Sequence, residues 1–265
     1  MSGESRLVSR RVLTATAGGF AVGAFAARFG RAAAHEGHDD ATPEAITPLG
    51  QVILRVRTLV DDSVRADVNE RVKAEFIPAF EALDGFAGYI VGDLVDAPAN
   101  LTVAVLEQAE DAAAYQEQVV GPFVSSLGDL LDASQGKEWS GELLITGASV
   151  GGEATPAPVW PLTAGYVAAR VHTSLPGTDP REFVPLAISG FLPIVEGLDG
   201  FEGYLWFPID GGFVAVSLFD SEASALASNE AAKEWAAEFL TEYTDGNPEI
   251  YNANVFYANL PVLGA

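Results

Sequence analysis

Two pairs of basic side chains recur at one fixed spacing in a chain that otherwise has few of them. Arg55 and Arg57 lie two residues apart, and Arg170 and His172 repeat that spacing 115 residues later. A guanidinium inside a protein can bind an anionic or phenolate ligand, and an imidazole can accept a proton near neutral pH. The alternative is structural: the arginines pair with acidic side chains, and the histidine is a hydrogen-bonded strand residue. His172 is the candidate catalytic residue.

Aromatic side chains follow each of these pairs. Tyr89 comes after the first pair, and Tyr204 and Trp206 come after the second, at alternating positions of one predicted strand. Such side chains could line a pocket for a planar small molecule, or they could pack between sheets. The candidate ligand-binding residues are Arg55, Tyr89, Arg170, Tyr204 and Trp206. Because Arg57 and His172 do not match, we expect at most one working pocket, the one near His172.

The composition excludes several kinds of site and partner. The 265 residues include no cysteine, so disulfides, zinc–thiolate sites and cysteine nucleophiles are excluded. His35 and His38 lie among acidic residues, but a tail without further ligands makes a poor metal site, and we predict neither a metal nor a cofactor. The net charge of -23 repels phosphate backbones, so nucleic acid is not an expected partner. An acidic, lysine-poor surface also suits high salt, with plain solubility as the alternative.

The start of the chain resembles a twin-arginine export signal. Arg10 and Arg11 precede an apolar run, residues 12–27, that is rich in glycine and alanine. Small residues at 32–34 provide a cleavage site, which predicts a mature protein that begins at His35. We therefore expect an extracytoplasmic protein with no stable membrane span after cleavage. An uncleaved membrane anchor is the alternative.

The remaining chain repeats itself. The segment Phe76–Tyr89 recurs as Phe191–Tyr204, at an offset of 115, with nine of fourteen positions identical. Self-similarity of this kind at a fixed offset indicates two copies of one structural unit.

Later in each copy the offset is expected to fall to 111. Residues 103–105 then match 214–216, and Glu138 matches Glu249. The four missing residues fall in a predicted turn, where length changes are tolerated.

Each copy has the pattern of a βαββαβ unit. The first strand, residues 51–59, alternates, with Val52, Leu54 and Val56 on one face and the arginines on the other. Pro78 should kink the first helix, because proline removes a hydrogen bond and crowds the preceding turn. The later elements of the first copy are a helix at residues 68–83, strands at 86–94 and 101–106, a second helix at 110–131 and a last strand at 142–146.

This order predicts an antiparallel sheet with both helices on one face and the other face open. We expect the basic pairs on the open faces, and we expect those faces to pair within one chain as a pseudo-dimer. The predicted fold class is α+β, with two tandem ferredoxin-like domains. The chain is predicted to divide into a signal at residues 1–34, a linker at 35–49, the first domain at 50–147, a second linker at 148–162 and the second domain at 163–265.

The two copies resemble the antibiotic biosynthesis monooxygenase family. The resemblance lies in the motif L-x-G-F-x-G-Y at Leu83–Tyr89 and Leu198–Tyr204, followed by hydrophobic strands and a helix rich in acidic residues and alanine. It implies the dimeric α+β barrel superfamily, whose sheets pair into a barrel with a pocket in each half. Members include cofactor-free oxygenases of polycyclic phenols and haem-degrading enzymes with a helix histidine. His172 lies in a predicted strand, so the haem-degrading pattern is not matched.

Three functions remain open at this point. The protein could be an exported, cofactor-independent oxygenase of a small aromatic compound. It could be a ligand-binding or stress-related module without catalysis, or a fused barrel with a structural function. A shared fold does not separate these functions, because function depends on the site.

Overall fold

The computed structural model describes residues 47–148, here called the first half, and 161–261, the second half. The predicted signal, the linker before residue 47 and residues 149–160 of the predicted linker lie outside the described residues. The described residues form an antiparallel sheet with helices packed against it, which confirms the α+β class. No helix within residues 47–148 or 161–261 is long and apolar enough to cross a membrane.

The first half contributes five strands and two helices. The strands are β1 Gly50–Thr58, β2 Phe86–Leu94, β3 Ala99–Leu106, β4 Lys137–Leu143 and β5 Ile145–Ala148. Helix α1 covers residues 65–81 and helix α2 covers residues 111–127. The predicted last strand, 142–146, is therefore longer than expected and divided in two.

The second half contributes four strands and two helices. The strands are β6 Gly165–Thr173, β7 Phe201–Ile209, β8 Gly212–Phe219 and β9 Glu249–Asn259. Helix α3 covers residues 184–196 and helix α4 is Glu222–Phe239. The side chain of Ser221 caps α4 by accepting a hydrogen bond from the backbone N–H of Ser224 at 3.3 Å.

A five-residue π-turn lies two residues before a proline in α1, α2 and α3. These turns are Val72–Phe76, Gln116–Val120 and Ala187–Phe191, before Pro78, Pro122 and Pro193. In α1 the backbone N–H of Ile77 donates to the carbonyl of Val72, five residues earlier. The wider turn accommodates a residue that has no N–H and crowds the preceding turn. The kink predicted at Pro78 is thus a π-turn, and α4, which has no proline, is an unbroken α-helix.

All nine described strands belong to one sheet, in the order β4-β1-β3-β2-β9-β6-β8-β7-β5. The two halves meet where β2 pairs with β9 and where β5 pairs with β7. Between β4 and β5, the backbone N–H of Leu144 donates to the carbonyl of Trp206 at 3.1 Å. The continuous stretch from β4 to β5 therefore pairs first with β1 and then with β7. This closes the sheet on itself. The described residues of both halves lie in one compact unit.

The strand register corrects the offset predicted for β3 and β8. Tyr89 pairs with Ala104 in the first half, and Tyr204 pairs with Ser217 in the second. The structural offset is therefore 113 and the predicted 111 is wrong. A shift of two residues keeps every side chain on the same face of a strand, so the apolar pattern is the same at both offsets.

Apolar side chains of both halves fill the inside of the closed sheet. Val52 and Leu54 of β1 pack in one cluster with Val167 and Ala169 of β6. The intervening residues of β1 and β6 point outward, beneath the helices. The expectation that Arg55, Arg57, Arg170 and His172 occupy the open faces is therefore wrong. Strand alternation separates the two faces correctly but does not say which face the helices cover.

Candidate functional site

Each half contains a cavity of about 30 Å³ between its helices and the outer face of the sheet. The first includes Arg55, Arg57 and Tyr89 in its lining. The second brings together four side chains that the sequence singles out: Arg170, His172, Tyr204 and Trp206. All the predicted catalytic and ligand-binding residues thus lie at these two cavities.

Arg170 is a buried cation held by neutral groups. Its side chain is in the sheet wall, and the residue is 1% exposed. Nε donates to Asn229 Oδ1 at 3.0 Å, Nη1 to Ser217 Oγ at 3.1 Å and Nη2 to Ser228 Oγ at 2.5 Å. Among the described residues, no acidic side chain forms a salt bridge with it. Burial lowers the pKa of Arg170 to about 10, so the guanidinium stays charged at neutral pH.

The equivalent arginine of the first half does have a carboxylate. Arg55 Nε lies 2.5 Å from Glu138 Oε2, and Nη2 donates to Gln116 Oε1 at 3.1 Å. Gln116 and Asn229 are equivalent at the offset of 113, so an amide on the helix binds the arginine in both halves. The difference between the halves is the carboxylate.

The sheet register explains why the carboxylate is missing. Glu138 lies opposite Arg55 in β4, whereas Ile250 lies opposite Arg170 in β9. The predicted match of Glu138 with Glu249 is therefore wrong by one residue, and one residue changes the face of a strand. Glu249 pairs instead with Lys137, with Nζ and Oε2 2.6 Å apart.

His172 lies beside Arg170 and does not titrate near neutral pH. The residue is 7% exposed, and its ring stacks on Phe213 with the centroids 4.4 Å apart. Burial, and then the charge of Arg170, lower the pKa of His172 to about 4. The expectation of an imidazole that titrates near neutrality is wrong, because desolvation and a like charge both disfavour the protonated ring. At neutral pH the ring can accept or donate a hydrogen bond as a neutral group.

Aromatic side chains form most of the remaining lining of this cavity. Burial raises the pKa of the Tyr204 phenol far above its usual range, although Arg170 opposes the shift, so Tyr204 is neutral. Trp206 stacks with Phe213 at 5.4 Å between ring centroids. Trp235 of α4 also lines the cavity, and its buried Nε1 has no hydrogen-bond partner among the described residues. The cavity lining therefore places a neutral N–H donor, that of Trp235, and the flat apolar faces of aromatic rings near the charged Arg170.

The sequence did not identify the groups on α4 and β8 that hold Arg170. Ser228, Asn229 and Ser217 are small polar residues in apolar or alanine-rich segments, with no motif of their own. Asn229 could have been found by aligning Gln116 at the correct offset. Trp235 likewise has no motif that distinguishes it from an ordinary core tryptophan.

An outer cleft of about 560 Å³ adjoins the second cavity. Arg170, His172 and the α4 residues Ala232 and Ala236 line both spaces. The inner cavity alone is smaller than the roughly 150 Å³ that holds a benzene molecule in an engineered core. The cleft lies within the roughly 300–1,000 Å³ of small-molecule sites. Arg170 and His172, although only 1% and 7% exposed, therefore form part of the wall of the cleft.

The rim of the cleft carries both signs of charge. Glu230 is its acidic lining residue, and it lies 3.9 Å from Lys233 Nζ on the surface of α4. Because Glu230 has Lys233 beside it, Glu230 does not compensate the buried charge of Arg170. That charge stays uncompensated by the described residues.

No protein-family model and no curated protein sequence matches the chain. Among solved structures, an anthrone oxidase-like protein is similar with a TM-score of 0.57 and 16% identity, covering 82% of this chain and 95% of that one. A "putative monooxygenase" from Fusobacterium nucleatum subsp. nucleatum is similar with a TM-score of 0.61 and 9% identity, covering 80% and 94%. One from Lactobacillus acidophilus has a TM-score of 0.58, 9% identity and coverage of 80% and 96%. The chain therefore has the ferredoxin-like α+β fold found in monooxygenase-like proteins.

Proposed function

We propose that the second half binds a small acidic aromatic compound, such as a phenol, as its anion at Arg170. The observation that carries the proposal is the buried guanidinium of Arg170, which has no carboxylate partner among the described residues. A buried cation is costly unless an anion compensates it. A phenolate supplies that charge, and its ring fits the outer cleft beside Arg170, where Ala232, Ala236 and Ile250 form an apolar wall.

The chemistry proposed for the bound anion is oxidation by O₂ without a cofactor. The names of the structural neighbours support oxidation as the reaction, with a similarity that extends only to the fold. The absence of a cofactor is what the family resemblance of the sequence implies. In such a reaction, the substrate is a phenol whose keto form carries an activated ring methylene, as in an anthrone, and that methylene loses its two hydrogens and gains one oxygen atom to form a carbonyl. The second oxygen leaves as water, and O₂ takes up the four electrons. Arg170 would favour the reaction by lowering the pKa of the bound substrate, so that the electron-rich anion that reacts with O₂ is present at neutral pH.

Binding without chemistry is the second candidate, and one observation favours it. A general base works best when its pKa lies near the working pH, and the pKa of His172 is about 4. His172 is then a weak base, so proton removal must depend on the charge of Arg170. A ligand carrier needs only the cation and the apolar wall of the cleft.

Titration with 1-naphthol tests the binding proposal, with tryptophan fluorescence as the readout. We expect saturable quenching in the wild type and at least about tenfold weaker binding for Arg170→Gln, because a buried charge partner is lost. Arg170→Lys should retain part of the affinity. Arg181→Gln is the matched control, since Arg181 is an exposed arginine of the same half that pairs with Glu142. Equal affinities for Arg170→Gln and the wild type would contradict the proposal, and an oxygen electrode separates oxidation from binding alone.

We also propose that the two halves are tandem copies of one unit. The strand orders β4-β1-β3-β2 and β9-β6-β8-β7 are equivalent, which supports the proposal. The matched contacts of Arg55 with Gln116 and of Arg170 with Asn229 support it further.

The proposed location is outside the cytoplasm, after twin-arginine export. Arg10, Arg11 and the apolar run that follows them support this proposal, and they lie outside the described residues. Since that route carries folded proteins, the sheet would close before export.

A further inference from the structure

The cavity of the first half has a different charge from that of the second. Two guanidiniums line it, those of Arg55 and Arg57, together with polar side chains of Thr102 and Tyr115. No aspartate or glutamate is among its described lining residues. In the second half, one guanidinium and a neutral imidazole occupy the equivalent positions. The first cavity is therefore the more positive of the two.

One nitrogen of Arg55 is left without a partner. The residue is 3% exposed, and its Nη1 is buried with no hydrogen-bond partner among the described residues. Its Nε and Nη2 bind Glu138 and Gln116. An unpaired N–H of a buried guanidinium costs free energy, which an acceptor in the cavity would recover.

The charges around the cavity do not balance. Glu138 is the carboxylate beside Arg55, and its side chain is 55% exposed. No described acidic side chain forms a salt bridge with Arg57. Burial, followed by repulsion from Arg55, lowers the pKa of Arg57.

The two phenols near the arginines do not supply the missing negative charge. Burial raises the pKa of Tyr115 to about 12, and burial raises the pKa of Tyr89 well above its usual value. Both tyrosines are therefore neutral at physiological pH, and the two guanidiniums face one partly exposed carboxylate.

We propose that this cavity binds a small inorganic anion of the size of chloride between Arg55 and Arg57. The free Nη1–H of Arg55 and the guanidinium of Arg57 provide charged donors, and the hydroxyl group of Tyr115 provides a neutral one. A volume of about 30 Å³ admits a particle slightly larger than water and excludes an aromatic ring. The site is independent of the phenol site, which lies in the other half.

Thermal unfolding at constant ionic strength tests the proposal, with sodium chloride replaced stepwise by sodium gluconate. Gluconate is too large for the cavity, so the midpoint should rise with chloride and level off as the site fills. For Arg57→Gln we expect the chloride concentration at half effect to rise at least tenfold. Arg71→Gln is the matched control, since Arg71 is a partly exposed helix arginine that binds Glu75 and Ser126. It should respond to chloride as the wild type does.

Equal midpoints of the wild type in chloride and gluconate would overturn the proposal, as would an unchanged chloride response in Arg57→Gln. If that variant does not fold, crystals of the wild type grown in bromide provide the second test. An anomalous peak between Arg55 and Arg57 is expected, and a cavity without one would overturn the proposal. Neither result depends on whether the second half binds phenols.

Discussion

The surroundings of one arginine distinguish the two halves at the scale of single residues. Arg55 has a carboxylate opposite it in the sheet, and Arg170 has Ile250 in that place. Arg170 donates hydrogen bonds to three neutral oxygens, which do not compensate its charge. A protein that keeps such a residue loses stability unless an anion binds, which is typical of a binding site.

The pH dependence of stability should report the neutral state of His172. Its pKa is about 4 in the folded protein, below the value of about 6.5 expected in the unfolded chain. Between these two pH values, His172 binds a proton in the unfolded chain but not in the folded protein. Its contribution to the free energy of unfolding is therefore complete above about pH 6.5 and is lost as the pH falls toward 4.

His172→Phe keeps a ring against Phe213 but cannot be protonated. Between about pH 7.5 and about pH 4.5, the wild type should lose about 2–3 kcal/mol more unfolding free energy than this variant. Urea unfolding at the two pH values measures the difference. Identical losses in both proteins would show that His172 is not buried as described.

The types and spacing of residues in the sequence predict the side chains of the second cavity but not its chemistry. Arg170, His172, Tyr204 and Trp206 were singled out by type and spacing, and they line one cavity. The pKa of His172 was not predictable, because it depends on burial beneath α3 and α4. The absence of a carboxylate opposite Arg170 was not predictable either, because it depends on a one-residue difference in register between β4 and β9.

At the scale of elements, closure of the sheet depends on a close approach between β4 and β7. A Cβ atom added at Gly141 would lie 1.7 Å from the carbonyl oxygen of Pro208. Only a residue without a side chain fits there unless the backbone moves. Gly141 thus allows β4, which pairs with β1, to approach β7 closely enough for the chain to continue along β7.

Gly141→Ala should therefore destabilise the protein by about 1–3 kcal/mol or more, as overpacking does. Gly136→Ala is the matched control, since its Cβ would lie 3.6 Å from the nearest atom, the carbonyl oxygen of Val56. We expect the control to stay within about 0.5 kcal/mol of the wild type. Urea unfolding followed by circular dichroism measures both, and equal effects would contradict this description of the closure.

The elements were easier to predict than their pairing. The span predicted for β2, residues 86–94, is confirmed, and β1 and β3 differ from prediction by one or two residues at their ends. Pairing between the halves, β2 with β9 and β5 with β7, was not predictable because period-two alternation carries no information about neighbouring strands. The prolines marked the helix irregularities but not their π-turn geometry.

At the scale of the whole molecule, the closed sheet gives both halves one shared interior. Apolar residues from β1 and β6 meet there, so neither half buries its inner face alone. The pairings of β2 with β9 and of β5 with β7 also cover edges that would otherwise be open to another chain.

Export can be tested on the full precursor. Replacing Arg10 and Arg11 with lysines should keep the protein in the cytoplasm, because paired arginines characterise the twin-arginine signal. Cell fractionation and N-terminal sequencing measure the result, with a start at or near His35 expected for the exported wild type. Unchanged export of the double variant would contradict twin-arginine export.

If Arg170 binds an aromatic ligand as its anion, a phenol bound there must be deprotonated, and its protonation state can be measured. 4-Nitrophenol suits the measurement, since its anion absorbs visible light and its neutral form does not. A buried cation within a few ångströms should lower the pKa of the bound phenol by at least about one unit. Binding to the wild type should therefore increase the anion absorbance at a pH below the pKa of the free phenol. The same experiment with Arg170→Gln should show no increase, whereas an equal increase in both proteins, or a bound phenol that stays neutral in the wild type, would contradict the claim.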